Sequence, residues 1–222
     1  MYPPVAASNR CAGWPSRTIR LTVEHPLLRP ERDPAPMLAR VRETLRQLDA
    51  LWVFGYASLI WRPEFEAMEH RMARVNGWHR ALRMRSRVNR GTPERPGLVF
   101  ALLPGGACRG VVYRLHPGQH DEALERLWAR EMVTGVYDPR FVQAHTPQGP
   151  VSALTFTLSR RSPQCHARLD DVQMLDILRH ARGRFGTTLE YLVETDRALR
   201  AHGVHDSEVE RLVRLASRHG LS

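Results

Sequence analysis

Phe54-Gly55-Tyr56-Ala57-Ser58-Leu59-Ile60-Trp61-Arg62-Pro63 extends an apolar run that begins at Leu51 and predicts a buried strand over Leu51–Tyr56. The strand runs into small residues, Gly55, Ala57 and Ser58. Small side chains let a backbone approach a ligand closely, and successive N–H groups left free after a strand form a concavity for an anion such as a carboxylate. An ordinary tight turn at a strand end accounts for the same residues.

Further strand-like segments follow at Ala73–Trp78, Ala81–Ser86, Leu98–Leu103, Gly110–Leu115 and Val151–Leu158, punctuated by Gly, Pro and Asn as hairpins require. Helical periods lie outside them. From Met37 the residues Leu38, Val41, Leu45 and Leu48 form one stripe. Asp121–Met132 places Leu124, Leu127 and Trp128 together, and Asp171–Ala181 does so for Val172, Leu175 and Leu178. Thr187 with Glu190, and Ser207 with Glu210, are capping-box pairs opening two last helices, expected to pack antiparallel across Ala201–Asp206. The fold class is α+β, with strands gathered centrally into a small, largely antiparallel sheet or barrel. Residues 1–36 are rich in proline and lack an apolar period, so they are expected to be disordered or extended over the surface. Residues 37–222 are expected to form a single domain.

All 33 basic residues of the 222-residue chain are arginine, and the net charge is +10. That balance favours an anionic partner, whether nucleic acid, an acidic membrane surface or a small substrate; a solvated basic surface explains it equally well. Cys11, Cys108 and Cys165 form no CxxC pair, and Pro117 and Gly118 interrupt His116 and His120. No metal site is expected. No apolar run nears the ~20 residues of a membrane helix, and no secretory apolar region opens the chain, so a cytoplasmic location is expected.

The second stretch with chemical content is Trp128-Ala129-Arg130-Glu131-Met132-Val133-Thr134-Gly135-Val136-Tyr137-Asp138-Pro139-Arg140. Glu131 falls at the end of an amphipathic helix, where the helix dipole disfavours a charged carboxylate. Trp128 and Met132 supply apolar surroundings that act in the same direction. Such a group is suited to accepting a proton near neutral pH. A solvated glutamate paired with Arg130 or Arg126 is the plainer alternative.

The order GYxSLIW, RGTPERPG (Arg90–Gly97), REMxxGxY and a late EYL (Glu190–Leu192) resembles the ChaC-like gamma-glutamylcyclotransferases, over about Leu51 to Gly203. The resemblance implies a gamma-glutamylcyclotransferase fold, a small mixed or antiparallel β-barrel flanked by helices. It implies cleavage of glutathione, or a related gamma-glutamyl peptide, to 5-oxoproline with no cofactor. It places the gamma-glutamyl group against the backbone of Phe54, Gly55, Tyr56, Ala57, Ser58 and Leu59. Glu131 matches the catalytic glutamate, while Arg90 and Tyr137 match motif positions read as an anion contact and a pocket wall. The small anionic substrate is the expected partner, with neither nucleic acid nor membrane.

The chain departs from the family pattern in three places. Ala57 replaces a glycine, which would cost roughly 1–2 kcal/mol if its φ were positive. Asn89 replaces a histidine, and Cys165 and Ala167 replace a tyrosine and a glycine. Altered gamma-glutamyl specificity and an inactive scaffold therefore stay open. So does a nucleic-acid-binding module, since eight arginines fall between Arg71 and Arg95 near Trp61 and Trp78. A hydrolase is disfavoured: Ser58 lacks the GxSxG elbow, and adjacent Cys165 and His166 would point apart on a strand.

Overall fold

The computed structural model describes residues 31–63 and 65–221. Among them, five strands close into a barrel: β1 (Trp52–Gly55), β2 (Ala67–Ser86), β3 (Gly97–Leu115), β4 (Tyr137–Thr146) and β5 (Gly149–Leu158). Their order is β1-β3-β2-β4-β5. Neighbours are antiparallel except at the seam, where β1 and β5 run parallel with Trp52 opposite Ala153 and Val53 opposite Leu154. Around the barrel lie α1 (Ala35–Leu45), α2 (Ser58–Trp61), α3 (His120–Glu131), α4 (Asp171–His180), α5 (Thr188–Ala201) and α6 (Ser207–Arg218). A small hairpin, β6 (Arg182–Gly183) and β7 (Gly186–Thr187), leads into α5. The α+β barrel read from the sequence is the observed architecture.

Two pairs of expected strands are each one strand. Ala73–Trp78 and Ala81–Ser86 belong to the 20-residue β2, and Leu98–Leu103 and Gly110–Leu115 to the 19-residue β3. The intervening Gly77 and Pro104-Gly105-Gly106 read as turns. Instead the register slips between Asn76 and Trp78, with Gly77, Gly105 and Gly106 all at positive φ. A long antiparallel pair absorbs such residues as a bulge that bends the ladder. Strand β4 was hidden by Asp138-Pro139. Its whole length pairs with β5, but it meets β2 only at His145 and Ala144, so proline disrupts no ladder on that side.

The helix ends follow local chemistry. Thr187 and Glu190 form the expected capping box, with Glu190 N–H donating to Thr187 Oγ1 at 3.0 Å and Thr187 N–H to Glu190 Oε2 at 2.7 Å. The cap of α6 is Asp206, not Ser207: its Oδ1 accepts from the N–H groups of Glu208 and Val209 at 3.2 and 3.1 Å. Of residues 1–36, expected to be disordered or extended, Ala35 and Pro36 already open α1, and the stretch 1–30 lies outside the described residues. Just beyond it, Glu31 N–H donates to Thr134 O at 2.8 Å, Arg32 Nε to Gly135 O at 3.0 Å and Trp128 Nε1 to Pro34 O at 3.0 Å. Residues 31–34 are thus fastened to the corner between α3 and β4.

Alternation along the strands splits the core in two. Trp52, Phe54, Leu98, Phe100 and Leu102 join α4, α5 and α6 through Leu178, Leu192 and Leu212. Val53, Ala101, Leu103, Leu154 and Phe156 join α1 and α3 through Val41, Leu124, Leu127 and Trp128. Among the described residues, no helix is long and apolar enough to cross a membrane.

Close packing of β3 on β1 yields a test. A Cβ added at Gly110 would lie 2.3 Å from Gly55 O and 2.9 Å from the Phe54 ring, and backbone cannot yield as a side-chain tip can. Gly110→Ala is expected to lower stability by about 1–3 kcal/mol, read as a lower midpoint at unchanged slope in urea unfolding.

Candidate active site

Strand β1 delivers the chain into the Gly55–Arg62 turn. A Cβ on Gly55 would meet Leu59 Cβ at 3.1 Å, so the missing side chain lets the turn fold back tightly. Ala57 has φ −146°, outside the left-handed region, so the penalty of a positive φ does not arise where it replaces the family's glycine. Its methyl is buried in the core. The turn is closed by Ile60 N–H to Ala57 O and Arg62 N–H to Ser58 O, both at 2.8 Å. It is tied to the barrel by Tyr113 Oη to Ile60 O at 3.1 Å and Arg80 Nε to Tyr56 O at 2.9 Å.

Glu131 ends α3, whose buried face of Leu124, Leu127 and Trp128 docks on the same cluster as Val53 and Leu59. That shared core carries the carboxylate to the turn. Its side chain is only 15% exposed, and Oε1 lies 3.0 Å from Arg130 Nε. Arg130 Nη2 donates to Ser58 Oγ at 3.0 Å, and Nη1 to Arg62 O. The pairing with Arg130 expected by the plainer reading is present, but the carboxylate is largely buried and not solvated.

Three buried phenols complete the site: Tyr56 from the turn, Tyr137 from the start of β4 and Tyr191 from α5. Tyr56 Oη donates to Phe156 O at 3.0 Å and lies against the Tyr137 hydroxyl. Tyr191 Oη accepts from Phe100 N–H at 3.3 Å. Burial pushes Tyr56 and Tyr137 well above the ordinary phenol value, and Tyr191 up to about 12, with the nearby Glu131 charge acting the same way on all three. Three hydroxyls kept neutral by burial therefore lie within electrostatic reach of one carboxylate. Tyr137, the motif position read as a pocket wall, is buried beside Tyr56.

Arg90, read from its motif as an anion contact, is held by the backbone of the β6–β7 hairpin. Its Nη1 donates to Phe185 O at 2.6 Å and Thr187 O at 3.3 Å, and its guanidinium covers the Tyr191 ring at 5.1 Å. It fastens the β6–β7 hairpin and the start of α5 beside the phenols. Gly91 and Gly97 of the same motif cross so closely that a Cβ on Gly91 would lie 2.0 Å from Gly97 N. Cys165 is half-buried at an isolated bridge to Met84. Tyr191 and Arg130 are the site residues that sequence reasoning passed over. Tyr191 stood inside the quoted EYL, and Arg130 was weighed only as a partner for Glu131. Among the described residues, no group of three His, Cys, Asp or Glu side chains is arranged to hold a metal.

The family described as ChaC-like protein matches residues 51–219. The chain belongs to the ChaC-like family. Among ChaC-like relatives, the glutathione-specific gamma-glutamylcyclotransferase of Escherichia coli (strain K12) is 33% identical over 192 residues, 86% of this chain and 83% of its own length. The glutathione-specific gamma-glutamylcyclotransferase 1 of Mus musculus is 33% identical over 169 residues, 74% of this chain and 76% of its own. A solved structure of a yeast gamma-glutamyl cyclotransferase specific to glutathione superposes with TM-score 0.67 at 22% identity, covering 76% of this chain and 96% of that one.

The phenols give a pH prediction. Tyr56, Tyr137, Tyr191 and Tyr113, four of the five tyrosines, have folded-state values raised above the ordinary 10, Tyr113 also to about 12. An acid raised on folding contributes stability that is whole below its unfolded value and is lost as pH rises through the folded one. Stability is expected to hold up to pH 10 and to fall steeply between 10 and 12. Tyrosinate absorbance near 295 nm should lag that of the urea-unfolded chain in this window and rise with unfolding.

Proposed function

We propose that this ChaC-like chain is a gamma-glutamylcyclotransferase that cleaves glutathione to 5-oxoproline and cysteinylglycine, with Glu131 as general base. The substrate carries its own nucleophile. Its α-ammonium gives a proton to Glu131, and the freed amine attacks the γ-carbonyl carbon to form the ring C–N bond. The ring nitrogen then sheds a second proton as the amide bond to cysteine breaks, and the departing amine takes up both protons, passed in turn through Glu131, and leaves as an ammonium. Protons and electron pairs balance without water, cofactor or covalent enzyme intermediate.

The protein's task is mainly to hold the γ-glutamyl group curled so that nitrogen and carbonyl meet, a gain that is largely entropic. Backbone N–H groups of the Tyr56–Leu59 turn are suited to the substrate carboxylate and to the developing oxyanion. The neutral phenols of Tyr56, Tyr137 and Tyr191 keep water away and offer hydrogen bonds around the exchanged proton. The observation that carries this reading is the seat of Glu131. It is largely buried, lies among three phenols, and is joined through Arg130 to Ser58 of the turn.

A small anionic substrate fits the arginines better than nucleic acid does. Arg80 is buried, Arg71 lies over Trp52 at 4.7 Å and pairs with Glu69, and Arg90 is engaged by backbone carbonyls, so the basic run does not share one outer face. A cytoplasmic setting, where glutathione is abundant, belongs to the same proposal.

Purified protein incubated with glutathione is expected to release 5-oxoproline and cysteinylglycine in equal amounts. Glu131→Gln should fold as the parent does, by circular dichroism, and lose on the order of 10²–10⁴-fold in kcat/KM. Retention of full activity by that variant removes Glu131 from its role.

A further inference from the structure

Arg80 stands on β2 with its side chain fully buried, and the reaction as described gives it no part. Its Nε donates to Tyr56 O at 2.9 Å, Nη1 and Nη2 to Arg109 O at 3.2 and 2.7 Å, and Nη2 to Cys108 Sγ at 3.7 Å. Asp206 Oδ2 lies 3.5 Å from Nη1, while the other oxygen of that carboxylate caps α6. Burying a guanidinium is costly, and an apolar side chain of similar size often stabilises a core as well or better. What arginine adds at such a place is direction: a planar fork that fixes the groups it binds.

Among those groups, the Tyr56 carbonyl bears on the site. A peptide unit is planar and trans, so holding Tyr56 O in one direction aims the Ala57 N–H in the opposite one. That N–H meets no acceptor among the described residues. Through its side chain the same Tyr56 touches the Tyr137 hydroxyl and feels the Glu131 charge. The guanidinium therefore sits behind the residue that links the binding turn to the proton acceptor.

We propose that Arg80 is a positioning residue for the γ-glutamyl group. It holds the Tyr56–Ala57 peptide so that the Ala57 N–H faces the bound substrate carboxylate, and Asp206 holds Arg80. The start of α6 is thereby part of the binding apparatus, although it contributes no atom to the substrate. This rests on the functional reading above.

The test uses the full chain carrying Arg80→Lys, Arg80→Ala or Asp206→Asn. A contact made equally in ground and transition states moves KM and leaves kcat. Arg80→Lys is expected to raise KM for glutathione roughly tenfold or more with kcat within about threefold, and Asp206→Asn to shift KM in the same direction by less. Guanidinium ion added to Arg80→Ala should restore KM in part, which a merely structural defect would not show. With ¹⁵N-alanine labelling, the Ala57 amide, assigned by its loss in Ala57→Gly, should shift on adding glutathione to wild type and not to Arg80→Lys. A folded Arg80→Lys with wild-type KM and an unchanged Ala57 response overturns the proposal, as does a loss confined to kcat. Should wild type release no 5-oxoproline while its Ala57 amide still responds to glutathione in an Arg80-dependent way, the positioning role stands and the cyclisation falls.

Discussion

The guanidinium of Arg130 is where the two halves of the site are joined. It reaches Ser58 Oγ and Arg62 O on one side and the Glu131 carboxylate on the other. Ser58 and Arg130 are 72 residues apart in sequence. They meet because β1 and α3 bury their apolar faces in one cluster, which includes Val53, Leu59, Leu127 and Met132. Burial brings the elements together to within a few ångströms; the planar fork then sets the register of turn and carboxylate, as an aliphatic contact cannot.

Around that junction the protein has placed neutral polar groups. Phenols held above their ordinary ionisation range stay protonated, so they solvate a nearby carboxylate without adding like charge. They also arrive from three different elements, the turn, β4 and α5, so the pocket exists only when the barrel and its helices are all in place. Arg90 extends the same logic, tying the β2–β3 connection to the β6–β7 hairpin and stacking on Tyr191.

Much of this was legible in the chain itself, and the gaps have physical causes. The α+β class, the capping box at Thr187, the helix ending at Glu131 and the turn after β1 all follow from local rules of period, capping and small-residue placement. Strand β4 was missed because Asp138-Pro139 carries a turn signature, and only its sparsely paired side makes proline tolerable there. Long strands were cut in two because a glycine bulge and a hairpin turn look alike before the partner strand is known. Among site residues, Glu131 could be weighed by its position on a helix. Tyr191 could not, because a tyrosine on an amphipathic face reads as core until the neighbouring carboxylate is visible. Ala57 shows the reverse: the positive φ that would have made this departure costly is absent.

The parallel seam between β1 and β5 bears on how the molecule is made. Trp52 and Ala153 meet across a span of about a hundred residues, and Tyr191 comes later still. Bringing such distant segments together demands loop-closure entropy before any contact repays it, which slows assembly. During synthesis from the N-terminus, the binding turn and Glu131 emerge well before the strand that closes the barrel and the helix that supplies the last phenol. A ribosome-bound chain short of α5 thus carries the turn and Glu131 without Tyr191, and the three phenols come together only once α5 has emerged.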